Sequence, residues 1–401
     1  MSSITLHRLG RALGAASLAL LLVACGGDAA APPVPLAADE LGLSRLELIG
    51  KRIFFDTSLS EPRGQSCGSC HDPQRAFGGN AGSSIGVAPG AIAGRFGSRN
   101  VPTAMYAAFV PPFRFERDGD EEIPVGGLFL DGRVNTLEEQ AGKPFFNPLE
   151  MALPDAAALR DRLAASSVAA LMREEFGSQV FASPELALAA ATRAIAAFER
   201  TPRFAPFSSK YDAVRRGQAS FSAQEARGLA LFTDEAKGNC AACHVFKADS
   251  KLDADHLFTD FTYDNIGVPR NRRIPANADA AHFDLGLCGP GRSDLAAQRP
   301  ELCGAFRVPT LRNVEQRPAY FHNGAIRTLR DAVAFYFTRE TDPLRWYQGA
   351  KYDDLPEAYH GNVNISEVPY DATPATGPRV SDAEIDDLVA FLRALTDGWK
   401  P

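Results

Sequence analysis

The chain has 401 residues but only four methionines, and none of them lies beyond Met172. Its second half therefore has no thioether to offer a metal. Histidine is also scarce: there are seven, and none between His71 and His244. Imidazole chemistry inside that long stretch must borrow its ring from elsewhere. Tryptophan occurs twice, at Trp346 and Trp399, so no indole serves the first half. Basic charge is in deficit, with 42 Lys and Arg against 49 Asp and Glu, which disfavours nucleic acid as a partner and is compatible with a basic protein. Long apolar runs are missing too. The longest candidate, ALGAASLALLLVA, ends at Ala24 and is too short to span a bilayer comfortably.

That run follows a segment with Arg8, Arg11 and no acid, the layout of a secretory signal peptide over 1–24. The ending LVAC resembles a bacterial lipobox, which implies lipidation of Cys25 as the first mature residue; plain cleavage and an uncleaved anchor are the alternatives. Gly26 follows Cys25 where an inner-membrane lipoprotein often has Asp. The expected address is therefore periplasm-facing, on the outer membrane, held by the lipid alone. GGDAAAPPVPLAAD then reads as a tether, giving a lipidated, flexible 25–40. Losing the signal takes two from the 42 basic residues and leaves 40 against 49, a net charge near −9.

What the chain does have is Cys-x-x-Cys-His, twice: CGSCH at 67–71 and CAACH at 240–244. Two thiols three residues apart reach the two vinyl groups of a haem, and the next residue sets its imidazole on the iron. A redox dithiol or half a zinc site needs neither the adjacent His nor a second copy. Cys67, Cys70, Cys240 and Cys243 are thus assigned to two covalent c-type haems, with His71 and His244 as proximal ligands. Cys288 and Cys303 remain, in a Gly/Pro-rich stretch of an exported chain, and are expected to form a disulfide.

The surroundings of the two motifs repeat. SRLELIGKRIFFD precedes the first and FSAQEARGLALF the second, each with apolar residues at helical spacing; the latter opens on a Ser222/Glu225 capping box. SPELALAAATRAIAAFER (183–200) and SDAEIDDLVAFLRALTDG (381–398) close the two halves as amphipathic helices. The prediction is a mainly α protein with two cytochrome c-like haem domains, 41–205 and 206–401, joined around 201–220. Long loops are expected at 72–100, 250–305 and 355–380.

An iron with two strong protein ligands carries electrons, whereas one with an open face can bind peroxide. For the first haem, Met105, Met151 and Met172 are available thioethers, although such residues are more often core filler. For the second, the candidates within its own half are His256, His282, His322, His360 or a tyrosine. Composition does not choose among them.

FLDGRVNTLEEQAGKPFFNPLEM (129–151) and FRVPTLRNVEQRPAYFHNGAIRTLRDAVAFY (306–336) resemble two blocks of the bacterial di-haem cytochrome c peroxidase and MauG family. The likeness covers most of the mature chain, with both haem motifs in the same order. It implies Tyr336 as distal ligand of the second haem, where the peroxidases have Met and MauG has Tyr; His322 is the runner-up, and an ordinary helix aromatic the bland alternative. A phenolate favours oxidised iron, so the second haem becomes a reservoir of oxidising equivalents. The likeness also implies Gln140 and Glu150 as the distal pair of the first haem, with Pro144 between them. Glu150 would carry a proton between peroxide oxygens and Gln140 would hold the peroxide. Read alone, they are a polar helix residue and a surface acid.

The chain departs from that family in three places. No distal His is available to be displaced from the first haem, so that iron should be open without prior reduction. FLDGR replaces FWDGR, putting Leu130 where an inter-haem Trp stands; Phe129, Phe145, Tyr106 or direct tunnelling would have to serve. The family's Ca²⁺ would use the Asn100 side chain with the carbonyls of Arg317 and Ala319, but RPAY replaces TAPY, and a structural turn at Asn100 is the alternative. The expected function is a peroxidase of MauG type. It reacts with hydrogen peroxide at the His71 haem and oxidises a redox protein partner, a cytochrome c or a protein substrate, through the His244 haem. A conventional cytochrome c peroxidase and a non-enzymatic electron carrier are its rivals.

Overall fold

The computed structural model describes residues 40–401 together with Ala37, so the signal peptide, Cys25 and most of the tether lie outside the described residues. Helices dominate. In the first half they are α1 (Arg45–Phe54), α2 (Cys67–Cys70), α3 (Leu137–Phe146), α4 (Ala156–Ala164), α5 (Ala169–Phe176) and α6 (Pro184–Glu199). The second half contributes α7 (Lys210–Arg215), α8 (Ala223–Thr233), α9 (Leu329–Thr338) and α10 (Asp382–Arg393). Among the described residues, sheet is limited to a hairpin of β1 (Arg114–Asp118) with β2 (Glu121–Val125) and a short antiparallel pair of β3 (Tyr263–Asp264) with β4 (Phe306–Arg307). Among the described residues, no helix is long and apolar enough to cross a membrane.

The helices start where their capping residues dictate. Ser44 accepts from the Glu47 N–H while Glu47 accepts from the Ser44 N–H, so two orphan donors at the head of α1 are satisfied reciprocally. Ser222 with Glu225 does the same for α8, and Ser381 with Glu384 for α10. Each half then builds one tight crossing. Gly50 of α1 lies against the Ala194 carbonyl of α6, and Gly228 of α8 against the Asp387 carbonyl of α10; a Cβ at either glycine would collide with backbone. In both copies the glycine follows the capping serine by six positions. Four positions later comes a buried phenylalanine whose ring meets one from the closing helix: Phe54 with Phe198 at 5.6 Å, Phe232 with Phe391 at 5.2 Å.

Two hydrophobic cores grow from these crossings. One gathers Ile49, Ile53, Phe145, Leu159, Ile195 and their neighbours, the other Leu231, Phe258, Val333, Phe335 and Leu388 with theirs. The loops between helices are long, as the Gly and Pro content predicts, and are tied at fixed points. Cys288 and Cys303 are disulfide-bonded with their Cα atoms 5.0 Å apart, closing part of the long loop between β3 and β4.

Candidate functional site

The Cys-x-x-Cys-His segments follow α1 and α8 in the chain, each closed by a turn in which the histidine N–H donates to the carbonyl of the first cysteine at 2.8 Å. His71 Nδ1 lies 3.0 Å from the Phe77 carbonyl oxygen, and His244 Nδ1 lies 3.0 Å from that of Phe258. Both phenylalanines are in the left-handed region, at φ 50° and 56°, which turns their carbonyls toward the rings. The residue before each is pinned by a threonine: Thr103 donates to the Ala76 carbonyl at 2.6 Å, and Thr310 to the Leu257 carbonyl at 2.5 Å. Each of those threonines ends a Val-Pro-Thr, at 101–103 and 308–310, a repeat that inspection around the cysteines alone passes over. A ring that donates from Nδ1 keeps its Nε2 lone pair free for a metal. Burial depresses both imidazoles, His244 to about 4, with the carbonyls pulling the other way, so both rings are neutral and able to ligate.

A second repeat builds the opposite walls. FLDGRVNTL (129–137) and FHNGAIRTL (321–329) adopt the same conformation. Phe129 and Phe321 are left-handed at φ 62° and 65°, as are Gly132 and Gly324, and single bridges pair Leu128 with Val134 and Tyr320 with Ile326. Thr136 and Thr328 then cap α3 and α9. Counting from those caps, the eighth residue of α3 is Pro144 and the eighth of α9 is Tyr336. Pro144 lines a cavity of about 300 Å³ with Cys67, Cys70 and His71, whereas Tyr336 lines a second, also of about 300 Å³, with Cys240, Cys243 and His244.

The polar residues of the two cavities differ. In the first, Gln140 and Glu150 stand with Pro144, as the resemblance implied. Burial raises the Glu150 carboxyl, with Arg133 and an Asn147 hydrogen bond opposing. Sequence reasoning missed a third member. Glu199, the last residue of α6, is 6 % exposed and lines both cavities. In the second cavity, Tyr336 stacks on Tyr370 with ring centres 5.8 Å apart. Burial raises the phenols of both, and neither hydroxyl has a hydrogen-bond partner among the described residues. The other sequence candidates are placed differently. Both ring nitrogens of His256 are engaged, with Tyr211 and the Ser250 carbonyl, each at 2.9 Å. His282 and His360 do not line the cavity. His322 does, but its Nε2 faces Asp354 at 3.3 Å and its ring stacks on Phe306. Of the methionines, Met172 is core, Met105 accepts from the Asn313 amide at 3.4 Å, and Met151 lines the first cavity from within the core cluster.

These residues fit two covalently held haems. All four motif cysteines are free thiols facing a cavity rather than one another. Arg307 and Arg317 line the second cavity, half-buried and with no carboxylate partner among the described residues, and burial lowers both, Arg317 to about 10. The same lining carries carboxylates, among them Asp264, Asp284 and Glu367, but these two guanidiniums pair with none of them, and haem propionates are anions that would meet them.

Phe129 and Leu130 line both cavities and so form the wall between them. Tyr106 lines only the second and donates to Asp397 at 2.7 Å, while Phe145 lines neither. The wall is braced by Asp131, fully buried between Arg99 and Arg133, each at 2.7 Å. Asn100 is also buried. Its amide donates to the carbonyls of Ala319 at 2.9 Å and Phe321 at 3.1 Å, so Phe321 rather than Arg317 is the second carbonyl it meets. Arg317 instead sends its guanidinium to the Val101 carbonyl at 2.6 Å.

Comparison with known proteins agrees with this arrangement. The family model described as di-haem cytochrome c peroxidase matches residues 44–220. The methylamine utilization protein MauG of Paracoccus denitrificans is 38% identical over 394 residues, covering 95% of this chain and 94% of that one. The cytochrome c551 peroxidase of Nitrosomonas europaea is 30% identical, covering 79% and 80%. Among solved structures, the diheme peroxidase BthA of Burkholderia thailandensis superposes with a TM-score of 0.83 at 46% identity, covering 88% of this chain and 86% of that one.

Proposed function

The chain belongs to the di-haem cytochrome c peroxidase family, which includes MauG, and from that membership we propose how its two sites divide the work. It is a haem-dependent oxidoreductase with two c-type haems. Bound haem supplies an iron that binds peroxide and exchanges electrons. The chain's own residues decide where. His71 and His244 each hold one group from Nε2, kept neutral by burial. At the first site Pro144 brings no donor atom, so the cavity it lines would leave room for hydrogen peroxide. Gln140 orients the peroxide through its amide, and Glu150 moves a proton from one peroxide oxygen to the other. At the second site Tyr336 fills the matching position with a phenolic oxygen. That site stores oxidising equivalents and draws electrons from a redox protein partner, in the manner of MauG.

One observation carries this reading: Pro144 and Tyr336 occupy the same place in two copies of one loop-and-helix unit. Spectroscopy of the ferric protein tests it. One high-spin and one low-spin haem are expected, with the low-spin signal altered in Tyr336→Phe and the high-spin signal altered by peroxide. An unchanged spectrum in the variant removes Tyr336 as ligand. The likeness to cytochrome c551 peroxidase favours a second reading, simple peroxide detoxification. Turnover with reduced cytochrome c, compared with oxidation of a candidate protein substrate, separates the two.

Three further parts belong to the proposal. Ca²⁺ would sit at Asn100 with the carbonyls of Arg317 and Ala319, the Asn100 amide turning from its donation to Ala319 and Phe321 to present its oxygen; a chelator that leaves the haem spectra untouched removes it. Cys25 would bear the lipid and fix the enzyme to the outer membrane, facing the periplasm. Detergent-free release of the mature chain from membranes would overturn that address.

A further inference from the structure

Glu199 has no part in the scheme above, yet few acids in the molecule are so enclosed. It ends α6, at a point where α3 packs alongside: Arg200 pairs with Glu138 at 2.6 Å, and Gly142 lies against Thr192. Glu199 lines the first cavity together with Gln140 and Ala141 of α3. Its carboxyl is 6 % exposed, has no hydrogen-bond partner among the described residues, and borders the chamber that contains Gln140 and His71. Glu150 lines the same chamber. The chamber is therefore flanked by two carboxyls, that of Glu150 partly buried and that of Glu199 almost wholly so.

The stoichiometry of peroxide reduction gives the more buried acid a task. Hydrogen peroxide, two electrons and two protons make two waters. Peroxide's own protons suffice for the first water once one has been moved across by Glu150. The second oxygen needs two protons from elsewhere, arriving with the two electrons that the reductant supplies.

We propose that Glu199 is an internal proton donor of the first site, delivering one of these two protons during the reductive half of the cycle and being reprotonated from solvent afterwards. The inference rests on the reading of the His71 site as the peroxide site. Burial pushes the Glu199 carboxyl up to about 8, so it holds its proton at neutral pH. The charges around it are Arg200, which opposes the shift, and Glu138, which adds to it; the two are paired with each other.

The test uses the full di-haem protein. Wild type, E199Q, E199D and E150Q are mixed with hydrogen peroxide and then with ascorbate, and the haem spectrum is followed through both phases. E150Q should slow the first phase. E199Q should slow the return with ascorbate by about 100-fold, the lower end for a positioned acid, and E199D should recover part of the loss. Infrared spectra of the resting protein should show a protonated-carboxyl band, shifted in heavy water, that is missing from E199Q. A band that survives in E199Q, or a return within twofold of wild type, overturns the assignment of Glu199 alone. Wild type that ignores peroxide overturns the function proposed for the first site, and Glu199's role with it.

Discussion

Pro144 and Tyr336 stand at equivalent positions of a repeated loop and helix, eight residues into α3 and α9, and each lines the cavity of its own haem-binding histidine. One side chain has no atom to give a metal and the other ends in a phenolic oxygen. In the function proposed above, this single position of a duplicated unit divides the work of the two sites.

Replacing Tyr336 with Met should keep the second site closed but exchange an oxygen donor for a thioether. Because a thioether favours ferrous iron, the potential of that haem should rise while the other stays where it is. Spectroelectrochemical titration of both haems checks this; two unmoved potentials would rule out the ligation.

Glu150→Gln keeps the shape of the first cavity and removes its mobile proton. The reaction with peroxide should slow by about 100-fold, and Glu150→Asp should be intermediate. Stopped-flow absorbance at the Soret band is the measurement. Equal rates in the wild type and Glu150→Gln would contradict the role.

Gly50 and Gly228 make the two helix crossings possible. Alanine at either should force the helices apart and cost about 1–3 kcal/mol, read as a lower denaturant midpoint with secondary structure retained. Alanine at Gly217, whose φ of 72° is left-handed but which touches nothing, serves as the comparison for strain without collision.

Asp212 and Arg312 form a fully buried two-pronged pair at 2.8 and 2.9 Å, with the guanidinium 4.6 Å from the Phe207 ring. Asp212→Ala strands that cation and should cost about 3–5 kcal/mol. Burial pushes the Asp212 carboxyl up, but Arg312 and Ser209 outweigh it and hold it below its ordinary value. A depressed folded pKa means stability that is present above the unfolded value of about 3.9 and lost as pH falls through the folded one. Denaturant midpoints for wild type should therefore drop in acid below about pH 4, and Asp212→Asn should flatten that drop.

The cysteine motifs, the capping serines and the closing helices could be read from sequence because each is a local signal spaced along one turn or one helix. Tyr336 could be reached by combining the missing methionine with a recognised block. Glu199 could not. In sequence it is half of a Glu-Arg pair at the end of an alanine-rich helix, the composition of a solvated end; only the packing of α3 turns it inward. Sequence also paired Asn100 with the carbonyls of Arg317 and Ala319, whereas its side-chain amide donates to those of Ala319 and Phe321. Backbone carbonyls carry no identity in the sequence, and a shift of a few residues along an irregular loop selects Phe321 instead.

The carbonyls that hold His71 and His244 belong to the backbone of Phe77 and Phe258, and each is steadied by a threonine bound to the preceding peptide. No point substitution can delete a main-chain oxygen. The hold on each imidazole is therefore shielded from mutational drift and matched between the two sites. Selection acting on this enzyme would find its freedom on the opposite side of each ring, where a change of one side chain can turn a relay into a reaction chamber, or the reverse.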